Sequence, residues 1–178
     1  MSSLTNELVH ARIMQHAAEM VLGSETAYDG ILIVETARES LIGLLTLLKE
    51  DKDLNYHFLT TLNAIHYPDQ TGRELGLTYH LHNWMDNRRI RVRVWIPVAD
   101  PHIPSLTGLW PSANWMERQE YDFFGVIFTG HPDLRRILNV DDMDVFPMRK
   151  EFKLEDGTRT DKDDRFFGRE GNYQQRLD

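Results

Sequence analysis

The 178-residue sequence predicts an α+β fold, with helices packed on a mixed, largely antiparallel sheet and an extended C-terminal tail. Three observations lead there. Two adjoining segments, Leu75–Trp84 and Arg89–Pro97, alternate apolar and polar residues strictly, as paired antiparallel strands with one buried face must. A continuous apolar run, Ile31-Leu32-Ile33-Val34, suits a central strand covered on both sides. Apolar residues recur at helical spacing near the N-terminus, behind Thr36 and after Pro111. Residues 1–152 are expected to form the domain and 153–178 the tail.

Each element has its own signal. From Thr5 to Leu22, either Leu8, Ala11, Ala18 and Leu22 or Val9, Ile13, Ala17 and Met20 supply a helical stripe, with Gly23 as the stop. The strand Tyr28–Glu35 follows. Thr36 and Glu39 have capping-box spacing ahead of Leu41, Leu44, Leu45 and Leu48, so a second helix is expected there. Strands near Tyr56–Tyr67, Leu75–Trp84 and Arg89–Pro97 are separated by Pro68-Asp69-Gln70-Thr71-Gly72 and by Asp86-Asn87. Read as a two-residue hairpin loop, Asp86-Asn87 sets Leu81 opposite Val92 and Tyr79 opposite Val94. After a proline-rich crossing from Pro97 to Pro111, Ala113–Phe124 reads as a helix ended by Gly125. The tail offers only Leu154, Phe166, Phe167, Tyr173 and Leu177 as large apolar residues, too few to offset its own ordering entropy.

Composition removes whole classes of function. The chain has no cysteine, which excludes disulfides, zinc thiolates, a thiol nucleophile and cysteine-held iron–sulfur clusters. Its net charge of -8 disfavours general binding to nucleic acid or anionic lipid. No dinucleotide fingerprint, phosphate loop or nucleophile elbow occurs. The longest apolar stretch, Leu41–Leu48, is far shorter than the roughly 20 residues a membrane span needs. With no Lys or Arg before Arg12 and no apolar run there, no secretory signal is expected, so we place the chain in the cytoplasm or peripherally on the cytoplasmic face of the membrane.

Several clusters could carry chemistry. His80 and His82 share one strand face, a metal-competent spacing, but the predicted register sets them against Arg93 and Arg91, a poor setting for a divalent cation. We read them as neutral histidines and expect no metal. Arg88, Arg89, Arg91 and Arg93 with Trp84 and Trp95 resemble an RNA-binding sheet, yet no RNP motif is present; a basic face for an acidic protein partner is the preferred reading, with no nucleic acid. Asp141, Asp142 and Asp144 lack the pattern of a calcium loop and read as a solvated turn. Glu117 and Glu120 sit one helical turn apart and, with His131, could imitate the acid and base of a freestanding enzyme. Structural ion pairing with Arg118, Arg135 and Arg136 is the preferred fate of the carboxylates. His131-Pro132 is read as a positional hydrogen-bonding histidine, with Pro132 opening the next short element.

The densest stretch runs from Asn114 to Leu138 and reads as a docking surface. Together with its flanks it resembles the C subunit of the type I NADH:quinone oxidoreductase, respiratory complex I, and related subunits of membrane-bound hydrogenases. The resemblance rests on Leu109-Trp110-Pro111, Asn114-Trp115, Glu117-Arg118, Tyr121-Asp122, Phe124-Gly125, Phe128, His131-Pro132-Asp133-Leu134-Arg135-Arg136-Ile137-Leu138 and Pro147-Met148-Arg149-Lys150-Glu151-Phe152. Three positions depart from the family's usual pattern: Gln119 stands where glutamate is usual, Phe146 where histidine is frequent, and Lys153 where proline is common.

The resemblance implies a non-catalytic subunit of the peripheral arm of a proton-translocating oxidoreductase, with no cofactor of its own. FMN and iron–sulfur clusters would sit on other subunits, and NADH and quinone would be met only through the whole complex. It implies packing against the quinone-binding D subunit, near the cluster-bearing B and I subunits, peripheral on the cytoplasmic side of the inner membrane and without insertion into it. The docking residues expected are Glu117, Arg118, Tyr121, Asp122, Phe124, Gly125, His131, Pro132, Arg135, Arg136, Arg149 and Lys150 in the motifs that carry the resemblance, and Phe166 and Phe167, read from the tail itself as isolated aromatic anchors among mixed charges. The corresponding subunit of a hydrogenase, or of an oxidoreductase with ferredoxin or another donor, is the alternative the same motifs allow.

Overall fold

The computed structural model describes residues 5–152. Thr5 caps the first helix, α1 (Asn6–Ala17), its hydroxyl accepting the Leu8 amide at 3.4 Å. Of the two possible stripes the chain uses the second: Val9, Ile13 and Ala17 are buried, whereas Leu8 is exposed. The helix is shorter than periodicity predicts. A 3-10 turn, Ala18–Met20, closes it, and Gly23 opens an unforeseen strand, β1 (Gly23–Thr26), whose residues are all exposed and give no apolar signal.

The apolar run condenses to β2 (Leu32–Glu35), with Leu32, Ile33 and Val34 buried. Thr36 does not cap the next helix. Its hydroxyl donates instead to the Met20 carbonyl at 2.6 Å, tying down the 3-10 turn, and Glu39 pairs with Arg38. The helix α2 (Leu41–Glu50) therefore starts without a side-chain cap and is held by the burial of Leu41, Leu44, Leu45 and Leu48.

The strands β3 (Phe58–His66), β4 (Leu75–Asn83) and β5 (Arg88–Ile96) complete a five-stranded sheet in the order β1-β2-β5-β4-β3. All pairings are antiparallel except β2 with β5, so the sheet is mixed, as expected. Leu75, Leu77, Tyr79 and Leu81 share the buried face with Ile90, Val92, Val94 and Ile96. The register differs from the expected one by two residues: Leu81 lies opposite Ile90, Tyr79 opposite Val92, His80 opposite Arg91 and His82 opposite Arg89. A four-residue loop causes this. The Asn83 carboxamide oxygen accepts the amides of Met85 and Asp86, and Asn87 takes a positive φ of 52°. A slip of two leaves every side chain on its predicted face, so the core is unaffected.

A small parallel pair, β6 (His102–Pro104) and β7 (Ile127–Thr129), brackets α3 (Ala113–Phe124), which ends at Gly125 (φ 74°) as predicted. The α3 helix lies beside the outer edge of β3, and its Glu120 accepts the Ala64 amide at 2.8 Å. One edge of the sheet is thereby closed by a buried carboxyl.

Candidate functional site

The chemistry-bearing residues gather on α3 and on the irregular segment 130–152, which crosses back over it. Pro132 opens a turn rather than a helix or strand, because the amides beyond it are claimed by a side chain. Asp122, fully buried on α3, accepts the amides of Ile137, Leu138 and Asn139 at 2.8 to 3.1 Å, together with the Asn139 carboxamide at 2.9 Å. Its other charge partner is Arg136, at 2.8 Å, whose side chain is only 7% exposed. Burial alone would push the Asp122 carboxyl up. The bonds from Asn139, Leu138 and Arg136 outweigh it and hold the group well below the usual carboxylate range.

Arg136 does more than neutralise. Its second guanidinium nitrogen donates to the carbonyls of Met143 and Val145, so one side chain ties down the stretch around Asp144 that follows the turn at Asp141 and Asp142. Those acids and Asp144 are exposed, as a solvated turn requires. Arg149 donates to the Phe124 carbonyl at 2.8 Å and stacks on Phe146, which also meets Arg136 and the edge of Tyr121. Gly125 lies under this stack: a Cβ there would sit 2.5 Å from the Phe146 ring and 2.7 Å from the Arg149 guanidinium. The backbone of Lys150 is tied to His66 Nδ1 at 3.0 Å, while its side chain is exposed.

The expected pairing of Glu117 and Glu120 with Arg118, Arg135 and Arg136 does not form; Arg136 pairs with Asp122 instead. Arg118 is buried, but it donates to the carbonyls of Arg135 and Arg136 and stacks on Trp115. Arg135 pairs with exposed Asp133. Glu117 meets no cation. It is fully buried and accepts the Ser105 hydroxyl and the Leu106 amide, each at 2.6 Å. Glu120 is likewise buried, bonded to the Ala64 amide and the Gln119 carboxamide. Burial pushes both carboxyls up to about 7 against these bonds.

A value near 7 is what acid–base catalysis wants, but access is missing: both carboxyls are sealed from solvent and bonded to their own backbone. His131, the third member of that reading, has Nδ1 accepting the Asp133 amide and Nε2 against the Asn114 carbonyl at 3.1 Å. It is a positional histidine. Arg118, Asp122, Phe124 and Gly125 are buried inside this chain with Glu117, so among the described members of the expected docking set only Pro132, Arg135 and Lys150 are exposed, with Tyr121, His131, Arg136 and Arg149 half-buried. Phe166 and Phe167 lie outside the described residues.

The arginine strand is less basic than its sequence. Arg88 is buried and bonded to Asp86 and to the carbonyls of Asp53 and Leu54. Arg91 pairs with Asp29 and Arg93 with Glu25, so acids from the β1–β2 hairpin neutralise the face expected to attract an acidic partner. Trp95 packs over Gly76 beside Arg73 and Tyr67, and its indole donates to Glu35 at 2.9 Å. His82 bonds Asn87 and His80 is half-buried opposite Arg91. Among the described residues no cluster of three or more histidine or acidic side chains converges as a metal site would require.

Sequence reasoning overlooked Ser105, Asn139 and the hydroxyl of Tyr79. Asn139 adjoins the arginine pair and could have been included on that ground; Ser105 carried no signal, since its partner Glu117 is twelve residues away and across an irregular crossing.

Comparison with known proteins agrees with this arrangement. Residues 34–158 match the family described as respiratory-chain NADH dehydrogenase, 30 Kd subunit. The chain is 46% identical over 127 residues to the C subunit of NADH-quinone oxidoreductase from Nocardioides sp. (strain ATCC BAA-499 / JS614), covering 71% of this chain and 51% of that one. It is 42% identical over 151 residues to the protein of the same name from Mycolicibacterium smegmatis, covering 80% and 63%. The chain thus spans only about half to two thirds of the length of these relatives. Among solved structures, a trypsin-resistant fragment of Nqo5 superposes with a TM-score of 0.60 at 32% identity, covering 71% of this chain and 98% of the fragment. A chain of the membrane-bound sulfane sulfur reductase, an archaeal respiratory membrane complex, shares the fold with a TM-score of 0.72 at 24% identity, covering 83% and 85%. With its signature helix, anchored return segment and most of its length matched, this chain belongs to the family of the 30 kDa subunit of respiratory-chain NADH dehydrogenase, known in bacteria as the C subunit of NADH-quinone oxidoreductase.

Proposed function

We propose that this chain is a cofactor-free, non-catalytic subunit in the peripheral arm of a proton-translocating NADH:quinone oxidoreductase, on the cytoplasmic side of the inner membrane. It supports assembly beside the quinone-binding D subunit and the iron–sulfur B and I subunits. FMN and the clusters belong to other subunits, and residues 153–178 form a segment that docks along a neighbour through Phe166 and Phe167.

One observation carries the reading. Arg118, Asp122 and Arg136 are spent on holding segment 130–152 against α3, and Glu117 and Glu120 are sealed inside; beside exposed charges, α3 and that segment present large apolar side chains outward, Trp115, Leu138, Val140 and Met148 being 49–63% exposed. Surfaces of that kind mark protein contacts. No helix among the described residues is long and apolar enough to cross a membrane.

The test is co-purification. Tagged in a host that makes the complex, the chain is expected to emerge at fixed stoichiometry with an assembly containing iron and acid-labile sulfide; recovery free of any such assembly would overturn the proposal. Ending the chain after Phe152 should leave the melting temperature of the remaining domain nearly unchanged while incorporation falls sharply, since the ordering of a tail is offset only by partner contacts. A large drop in melting temperature with incorporation intact would assign the tail to this domain's own core.

A further inference from the structure

Around one cavity the hydrogen-bonding groups are unevenly matched. Its volume is about 350 Å³, and it lies where the start of α1, the β1–β2 turn and the β4–β5 loop meet. Asn6, Asp29, Tyr56, Asn87, Arg88 and Arg89 supply its polar wall, with Val9 and Ile31 as the apolar part.

The main acceptors in that wall are spent. Both carboxylate oxygens of Asp29 receive Arg91, at 3.2 and 2.5 Å, and one also takes the Ile31 amide at 3.3 Å. The Gly30 carbonyl accepts the Asn6 carboxamide at 2.7 Å, and the Asn87 carboxamide oxygen is held by His82 at 3.1 Å.

The donors are left over. Of the four arginines on this strand, Arg88, Arg91 and Arg93 pair with Asp86, Asp29 and Glu25; Arg89 is exposed and has no acid partner among the described residues. Tyr56 is 1% exposed, yet it lines the cavity; its hydroxyl makes no hydrogen bond with the described residues and, unlike that of Tyr79, is not closed off. Burial pushes this phenol up to about 12, so at neutral pH it keeps its proton and donates. Asn87 retains its amide hydrogens once its oxygen is occupied. Arg88 is 8% exposed, and its Nε and Nη1 have no hydrogen-bond partner, since Asp86 and the carbonyls of Asp53 and Leu54 all bond Nη2. A wall whose acceptors are used and whose donors are free selects an acceptor-rich, negatively charged ligand.

We propose that this cavity binds a small phosphate-type oxyanion, either free phosphate or the phosphoryl end of a small phosphomonoester, received by the Arg89 guanidinium, the Tyr56 hydroxyl and the Asn87 carboxamide. Arg88 stands in the wall as a fixed positive charge. The twelve-residue α1 begins at Asn6, so its positive end adds to the field there. Val9 and Ile31 give the rest of the cavity an apolar lining, suited to the organic part of an ester.

The site is tested on the whole 178-residue chain by ¹H–¹⁵N spectra, with sodium phosphate and glycerol phosphate as separate probes and sodium chloride at matched ionic strength as the control. Saturable shifts are expected at the amides of Asn6, Gly30, Asn87 and Arg89, and chloride should not reproduce them. Arg89→Gln should weaken binding about tenfold or more, the loss expected of one charge-assisted bond, and Tyr56→Phe should weaken it several-fold. Neither change removes a bond the fold uses, and melting temperatures close to that of the parent chain check this. Shifts with both probes assign the site to the anion itself; shifts with glycerol phosphate alone assign it to an ester whose organic part is also held. No saturable shift with either probe, the same shifts with chloride, or an affinity unaltered in either variant would overturn the proposal.

Discussion

Replacing Asp122 with alanine is the sharpest perturbation the structure offers. The carboxylate is fully buried and receives five hydrogen bonds: the backbone amides of Ile137, Leu138 and Asn139, the Asn139 carboxamide and Arg136. Its removal leaves a guanidinium only 7% exposed without its counter-charge. Breaking a buried pair from one side costs about 3–5 kcal/mol, and the abandoned amides keep the loss at the upper end of that range. For a chain of this size each kcal/mol lowers the melting temperature by about 2–4 °C, so a fall of order 10 °C is expected. Urea denaturation of the full-length chain, followed by circular dichroism and tryptophan fluorescence, measures it.

Two companions separate charge from hydrogen bonding in the same assay. Asp122→Ala combined with Arg136→Met removes both charges and should recover part of the loss, a coupling visible in a double-mutant cycle. Asp122→Asn tests the pH limb. Because the folded pKa is depressed, the stabilisation Asp122 supplies is complete above its unfolded value of 3.8 and is lost as pH falls through the lower folded value; the asparagine variant should lack that acid limb. A loss below about 1 kcal/mol for the alanine variant, within the ordinary range for surface changes, would refute the anchoring role.

Other expectations follow from single contacts. Gly125→Ala combines a φ of 74° with a Cβ 2.5 Å from the Phe146 ring, so it should destabilise by more than the roughly 1–2 kcal/mol of the left-handed penalty alone, measured as a denaturation midpoint. Gly76→Ala puts a Cβ 2.7 Å from the Trp95 ring and should displace the indole from Glu35, seen as a shifted tryptophan emission; an unchanged spectrum would mean the ring has room to yield. Arg135→Ala should change domain stability by less than about 0.5 kcal/mol, since its pair with Asp133 is exposed, yet reduce the yield of assembled complex more than the turnover per complex. Normal assembly with lost turnover would instead give Arg135 a direct part in the reaction.

Much of this molecule was legible because its signals are local. The alternation of Leu75, Leu77, Tyr79 and Leu81 against Ile90, Val92, Val94 and Ile96 names the core face of two strands without any knowledge of the rest. Gly125 ends α3 because a left-handed cap belongs to the helix it terminates. The given sequence has no cysteine, which is legible at a glance, and the motifs from Leu109 to Phe152 carry the family resemblance by residue identity alone.

What the sequence could not decide is what depends on partners distant along the chain. The strand β1 has no apolar pattern of its own and exists because β2 offers it an edge. The two-residue slip of β4 against β5 came from Asn83 and Asn87, whose side-chain bond and left-handed backbone lengthen the loop. The signature charges diverge most clearly. Asp122 and Glu117 look alike on one short helix, yet Asp122 faces Arg136 and three returning amides and stays ionised, while Glu117 faces Ser105 and a sealed core and is driven toward neutrality. Periodicity fixes which face of α3 a side chain occupies, but the charge it carries there depends on desolvation against the bonds that tertiary packing brings to it.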